Sequence, residues 1–192
     1  MASRKPAERR RRAETPAPSA IGDRILDTNV LIVATGQDSK GRDLTPKVPA
    51  DVKAIVRDWL AEFGRDASRS LVCDDELLIW KEYKNKLTEQ DGPLRLVRDL
   101  LFQFHRVRYV LREAIPDALA PQLVSLRNDR KFVQVALADA GRSSIVNVCD
   151  TDWGRVEVPL AAHGVRVEHL APEWYAKFCA EKQTKKRRVS RG

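Results

Sequence analysis

The sequence predicts a three-layer α/β/α sandwich around a central, mainly parallel sheet. Short apolar runs alternate with segments of helical period along residues 21–180. The intervening segments are long enough for the crossover helices that parallel neighbours require. Two of the apolar runs end in aspartate, at Asp27 and Asp150, where open α/β sheets carry their sites.

Taken in order, Arg24-Ile25-Leu26 reads as a short buried strand, with a helix after Asp27. Val52, Ile55, Val56, Trp59, Leu60 and Phe63 fall on one face of an amphipathic helix. Leu71-Val72-Cys73 is a second strand, and Asp74 and Asp75 are caps for a helix running through Leu87. Leu94, Val97, Leu100, Leu101 and Phe104 form another helical stripe. His105 to Leu111 is ambiguous, since Val107, Tyr109 and Leu111 alternate as in a strand. A helix is expected from Asp129 through Ala140, ended by Gly141, and Ser144 to Cys149 is the strongest strand. Val156 and Leu160 mark a helix closed by Gly164, Val165 to Val167 a last strand, and Pro172 opens a final helix with Trp174, Tyr175 and Phe178. There is no internal repeat and no glycine-rich phosphate loop.

Charge divides the chain into three parts. Of 192 residues, 35 are Lys or Arg and 27 Asp or Glu, a formal charge of +8. Residues 1–20 carry six basic and two acidic groups, and residues 181–192 carry six and one, which leaves 23 against 24 between them. Residues 21–180 therefore read as a nearly neutral domain between two basic tails. Both tails are poor in large apolar residues and are expected to be disordered. A domain of about 160 residues can bury roughly two thirds of its unfolded surface without disulfide or metal staples. No segment has the ~20 apolar residues of a membrane span, and the Arg-rich start has no apolar stretch behind it, so neither a membrane nor a secretory route is indicated. Cys73, Cys149 and Cys179 are dispersed and read as core residues of a reducing, cytoplasmic compartment.

The chemistry points to carboxylates. Asp27 and Asp150 end strands, Asp129 precedes Lys131-Phe132 at a helix start, Asp152 lies two residues past Asp150, and Glu82 lies in the helix after the second strand. Several acids converging on one spot require cations, and all-oxygen ligation selects Mg²⁺ or Mn²⁺. The stretch Arg24-Ile-Leu-Asp-Thr-Asn-Val-Leu-Ile32 resembles the opening of the PIN-domain family of metal-dependent ribonucleases. Asp75-Glu-Leu-Leu-Ile-Trp-Lys-Glu-Tyr83 is similar to that family's second motif, Asp129-Arg-Lys-Phe132 to its third, and Ile145-Val-Asn-Val-Cys-Asp-Thr-Asp152 to its fourth. The four stand in the family's order across residues 24–152. In one departure, Val148 occupies a position where the family commonly has Ser or Thr.

What the resemblance implies is a Mg²⁺- or Mn²⁺-dependent endoribonuclease leaving 5′-phosphate and 3′-hydroxyl ends. Asp27, Glu82, Asp129 and Asp150 would be catalytic metal ligands with Asp152 beside them, and Thr28 and Asn29 would support Asp27. Arg127, Arg130 and Lys131, flanking the third acid, would meet RNA phosphate. Many members of the family are toxins held by an antitoxin protein, and some are homodimers. Each acid also has a plainer reading. Asp27, Asp129 and Asp150 sit where helix caps or strand-end turns belong, and Glu82 lies among Lys81, Lys84 and Lys86. The histidines His105, His163 and His169 and the four tryptophans read as core or surface residues. A haloacid-dehalogenase-type phosphatase also begins at a strand-end Asp, but its mechanism wants a second Asp where this chain has Asn29. The alternative is a catalytically silent RNA-binding protein that works through its basic tails.

Overall fold

The computed structural model describes residues 22–37 and 42–189, the last five by their backbone alone. Residues 1–20, expected to be a disordered tail, lie outside the described residues. Strand β1 (Asp23–Leu26) leads into α1 (Thr28–Thr35), followed by α2 (Ala50–Arg65), β2 (Leu71–Asp74), α3 (Leu78–Lys86), α4 (Gly92–Leu101) and β3 (Val107–Val110). A 3-10 turn at Ala120–Leu123 precedes α5 (Arg130–Ala138), β4 (Ser143–Asn147), α6 (Thr151–Ala162), β5 (Arg166–His169) and α7 (Pro172–Val189). All neighbouring strands are parallel, in the order β3-β2-β1-β4-β5. From β1 the chain steps outward through β2 and β3, then returns to β4 and steps to β5 on the other side. Right-handed crossovers then put the connecting helices on opposite faces, which gives the three-layer α/β/α sandwich.

The elements follow from their burial. β2 and β4 are buried along their whole length, as central strands covered on both faces must be. α1 is apolar almost throughout and buries Val30, Leu31, Val33 and Ala34, while Gly36 ends it at φ 78°. α2 presents Val52, Val56, Leu60 and Phe63 inward, and Trp59 stacks on Phe63 at 5.4 Å. Its carboxyl end is tied down by the buried Arg106, whose guanidinium donates to the carbonyls of Phe63, Gly64 and Arg69.

Four boundaries differ from the sequence reading. Asp74 closes β2 rather than starting a helix; α3 begins at Leu78, and the Asp74 carboxylate reaches across the turn to accept the Leu78 and Ile79 N–H groups at 2.7 and 2.9 Å. The ambiguous segment is the edge strand β3, which leaves Phe104 90% exposed and off the α4 stripe. β4 stops at Asn147, because the Asn147 side chain takes over the hydrogen bonding of the turn. α7 runs to Val189 and crosses the limit at 180 where a disordered tail was expected. Glu181 to Arg188 contains mostly strong helix formers and neither Gly nor Pro, so a helix anchored by its first turns propagates.

Candidate active site

β1 and β4 lie side by side with Leu26 opposite Val146. Asp27 and the turn at 148–150 therefore leave the sheet next to each other at its carboxyl edge. This is the point where strand order reverses, the position at which open α/β sheets bind ligands.

Asp27 is 2% exposed. Its Oδ1 accepts the Asn29 N–H at 2.8 Å, and its Oδ2 accepts the indole N–H of the fully buried Trp153. Burial raises its pKa to about 7; the two donors oppose that rise, and Asp129 and Asp150 add to it. Asp150 caps α6, with Oδ1 accepting the Asp152 N–H at 2.9 Å. Its pKa is also raised, first by burial and further by Asp152, with Lys182 and Arg155 pulling it down. Both strand-end acids thus fulfil the plainer capping role as well.

Asp129 behaves differently. It stands at the cap position of α5 yet makes no capping hydrogen bond. Burial, then Asp150 and Glu82, raise its pKa to about 6, while Lys131 lowers it. Glu82 does not pair with the lysines of its own helix. Its Oε1 accepts the Thr28 hydroxyl at 2.5 Å, and its Oε2 pairs with the Lys131 ammonium. Thr28 thereby links the first acidic segment to the second, whereas Asn29 supports Asp27 through its backbone. Asp152 faces Arg155 at 2.6 Å and is one-third exposed.

Of the cations expected to meet substrate, only Lys131 lies among the acids, and it is committed to Glu82 and to the Asn128 carbonyl at 2.5 Å. Arg130 donates to the Ala120 carbonyl at 3.3 Å. Arg127 is exposed, with no ion pair among the described residues.

Three residues outside the predicted set shape the site. Asn147 is fully buried; its Oδ1 accepts the Asp150 N–H at 3.1 Å, and its Nδ2 donates to the Asp150 carbonyl at 2.9 Å. The Asn147 amide also lies 3.1 Å from His169 Nδ1. Because Oδ1 already accepts, Nδ2 is the donor to that ring nitrogen. Tyr175 donates its hydroxyl to the Asp150 carbonyl and accepts the Gly154 N–H, both at 3.0 Å. Its ring stacks on His169 at 3.8 Å. In the sequence Asn147 stands out only as an amide within the run Ile145 to Cys149; a buried amide must find partners, but the sequence does not say which.

The donor set suits a hard divalent cation: it is all oxygen, and three of its carboxyls are pushed toward the protonated form. The described side chains do not form a ready cage, however, since no three His, Cys, Asp or Glu groups among them are placed to share an ion. The oxygens of Asp27, Glu82 and Asp152 are turned to protein donors instead. No protein-family model matches the chain, and no curated protein or solved structure matches it. The residues themselves carry the functional assignment.

Proposed function

We propose that the chain is a metal-dependent endoribonuclease of the PIN-domain type. One observation carries the reading: at the switch point of a parallel sheet, three acids from separate segments are buried together, with Asp129 and Asp150 adding to the burial that raises the pKa of Asp27, and Asp150 and Glu82 adding to that of Asp129. Charges concentrated this way destabilise the fold unless something else selects them. Metal binding is such a use.

Mg²⁺ or Mn²⁺ held by Asp27, Glu82, Asp129 and Asp150, with Asp152 at the rim, would lower the pKa of a water and stabilise charge on the phosphodiester oxygens. The chain's own residues fix the acids. The Asn29 N–H and the Trp153 indole set the Asp27 carboxylate, Thr28 sets Glu82, and Asn147 with Tyr175 sets the Asp150 turn. Lys131 neutralises part of the acidic charge. No nucleophilic side chain is required, because water attacks and the products carry 5′-phosphate and 3′-hydroxyl ends. RNA is the partner this reading requires; nothing in the site requires an antitoxin or a second copy of the chain.

The test is cleavage of single-stranded RNA with Mn²⁺ by the full chain, beside Asp27→Asn and Asp150→Asn. Each variant is expected to lose more than the roughly 10–100-fold typical of a residue outside the ligand set, and chelator should abolish the wild-type activity. RNA cut equally by wild type and variants would overturn the nuclease reading and favour a silent RNA-binding protein.

A further inference from the structure

A cleft of about 350 Å³ opens beside the acidic centre, between the first turns of α6 and the outer half of α7. Thr151, Arg155 and Glu157 line it from α6, His169 from β5, and Lys182 and Gln183 from α7. Its volume is in the range of small-molecule sites.

The charge within it is unusual for this part of the molecule. Lys182 Nζ donates to the Thr151 hydroxyl at 3.3 Å and lies 4.9 Å over the Phe178 ring. It has no carboxylate partner among the described residues. Arg155 stands on the same rim and is held by Asp152 at 2.6 Å. The amino end of α6 is already committed, its Asp152 N–H to the Asp150 carboxylate and its Gly154 N–H to the Tyr175 hydroxyl. His169, 11% exposed, faces the Glu157 carboxylate with its Nε2 at 3.6 Å.

The cleft is also held open at a fixed width. The Tyr175 hydroxyl ties α7 to both Gly154 and the Asp150 carbonyl. A Cβ at Gly154 would come within 2.7 Å of that hydroxyl, so glycine permits the approach. An ammonium without a carboxylate partner and a guanidinium on one preformed cavity suit a phosphate-bearing ligand, while Glu157, the carboxylate in the lining, faces His169. Position decides which one. No proposed ligand acid lines the cavity, but its wall includes Thr151, the residue after Asp150, and Tyr175, which donates to the Asp150 carbonyl, so whatever fills it lies one residue from the acidic centre.

We propose that the α6/α7 cleft receives the nucleotide adjoining the scissile phosphodiester, with Lys182 and Arg155 holding its phosphate against the first turn of α6. The proposal rests on the nuclease reading for the word scissile, while the nucleotide site itself stands apart from it.

The experiment uses the full chain without metal, in chelator, titrated with adenosine 5′-monophosphate and followed by NMR. Backbone signals of Thr151, Gly154 and Lys182 should shift together. Adenosine lacking the phosphate should bind at least about tenfold more weakly, and Lys182→Ala should weaken nucleotide binding by a similar factor, with Lys182→Arg restoring most of it. In RNA cleavage, Lys182→Ala should raise KM, with Lys182→Arg reversing most of the rise. Unchanged nucleotide binding by folded Lys182→Ala, or shifts confined to other surfaces, would overturn the cleft assignment. Nucleotide binding in the cleft by a protein that cuts no RNA would instead sink the nuclease reading and uphold the site.

Discussion

Trp153 holds Asp27 in place. The indole is fully buried, packs edge-on against Phe132 with ring centroids 6.4 Å apart, and gives its only N–H to Asp27 Oδ2. Removing that donor leaves a buried carboxylate oxygen without a partner, a loss of about 1–3 kcal/mol. Trp153→Phe keeps an aromatic ring in the core, so the expected loss of stability in urea denaturation is of that size at about pH 8 and above, where Asp27 is ionised. It should shrink in acid, where Asp27 is protonated. Divalent-ion affinity should fall in the same variant, because the donor opposes the rise in Asp27 proton affinity and metal competes with that proton. A loss of stability that is the same at every pH would show that the indole matters through packing alone.

Among elements, α6 and α7 approach closely at Gly154, where the Tyr175 hydroxyl meets the helix backbone. Gly154 in an exposed helix would be improved by Ala by about 1 kcal/mol, but a Cβ there collides with the Tyr175 hydroxyl and its two hydrogen bonds. Gly154→Ala is expected to destabilise the wild-type protein by about 1–2 kcal/mol. In the Tyr175→Phe background the same change should be neutral or stabilising. A double-mutant cycle measures this coupling directly, and additive effects would mean that the hydroxyl does not set the helix spacing.

This contact also marks what a sequence can reveal. Periodicity locates Val52 to Phe63 and Ser144 to Val146 because burial of apolar groups has a fixed spacing. The acids Asp27 and Asp150 are legible because they sit where apolar strands stop. Asn147, Tyr175 and Lys182 are not, because their roles depend on contacts 3 to 31 residues apart in sequence. Trp153 reads as core, and it is, but its indole N–H has a partner 126 residues away. Basic charge and the lack of large apolar residues place Lys182 in a tail in the sequence reading, and only the continuation of α7 brings it to Thr151.

For the molecule as a whole, the charge distribution decides how pH acts on stability. Residues 21–180 hold 23 basic and 24 acidic groups, so little general self-repulsion builds up near neutrality and the strained acids dominate. Asp27 rises from 3.8 to about 7 and Asp129 from 3.8 to about 6 in the folded chain. A carboxyl whose folded pKa lies above its unfolded value binds its proton more tightly when folded, the reverse of a salt-bridged acid. Its contribution to stability is therefore fully retained below about pH 4 and lost as pH climbs through the folded values near 6 and 7. The melting temperature of the metal-free protein should fall between about pH 5 and pH 8, with a flatter profile for Asp27→Asn. Added Mn²⁺ should act in the opposite sense, raising the melting temperature more at pH 8 than at pH 5.5, since the ligands must lose their protons to bind. At about 100 times its Kd the ion adds roughly 2.7 kcal/mol. A metal-free profile as flat as that of the variant would show that the acids are not strained. A Mn²⁺ effect equal at both pH values would show that the ion binds somewhere other than these carboxylates.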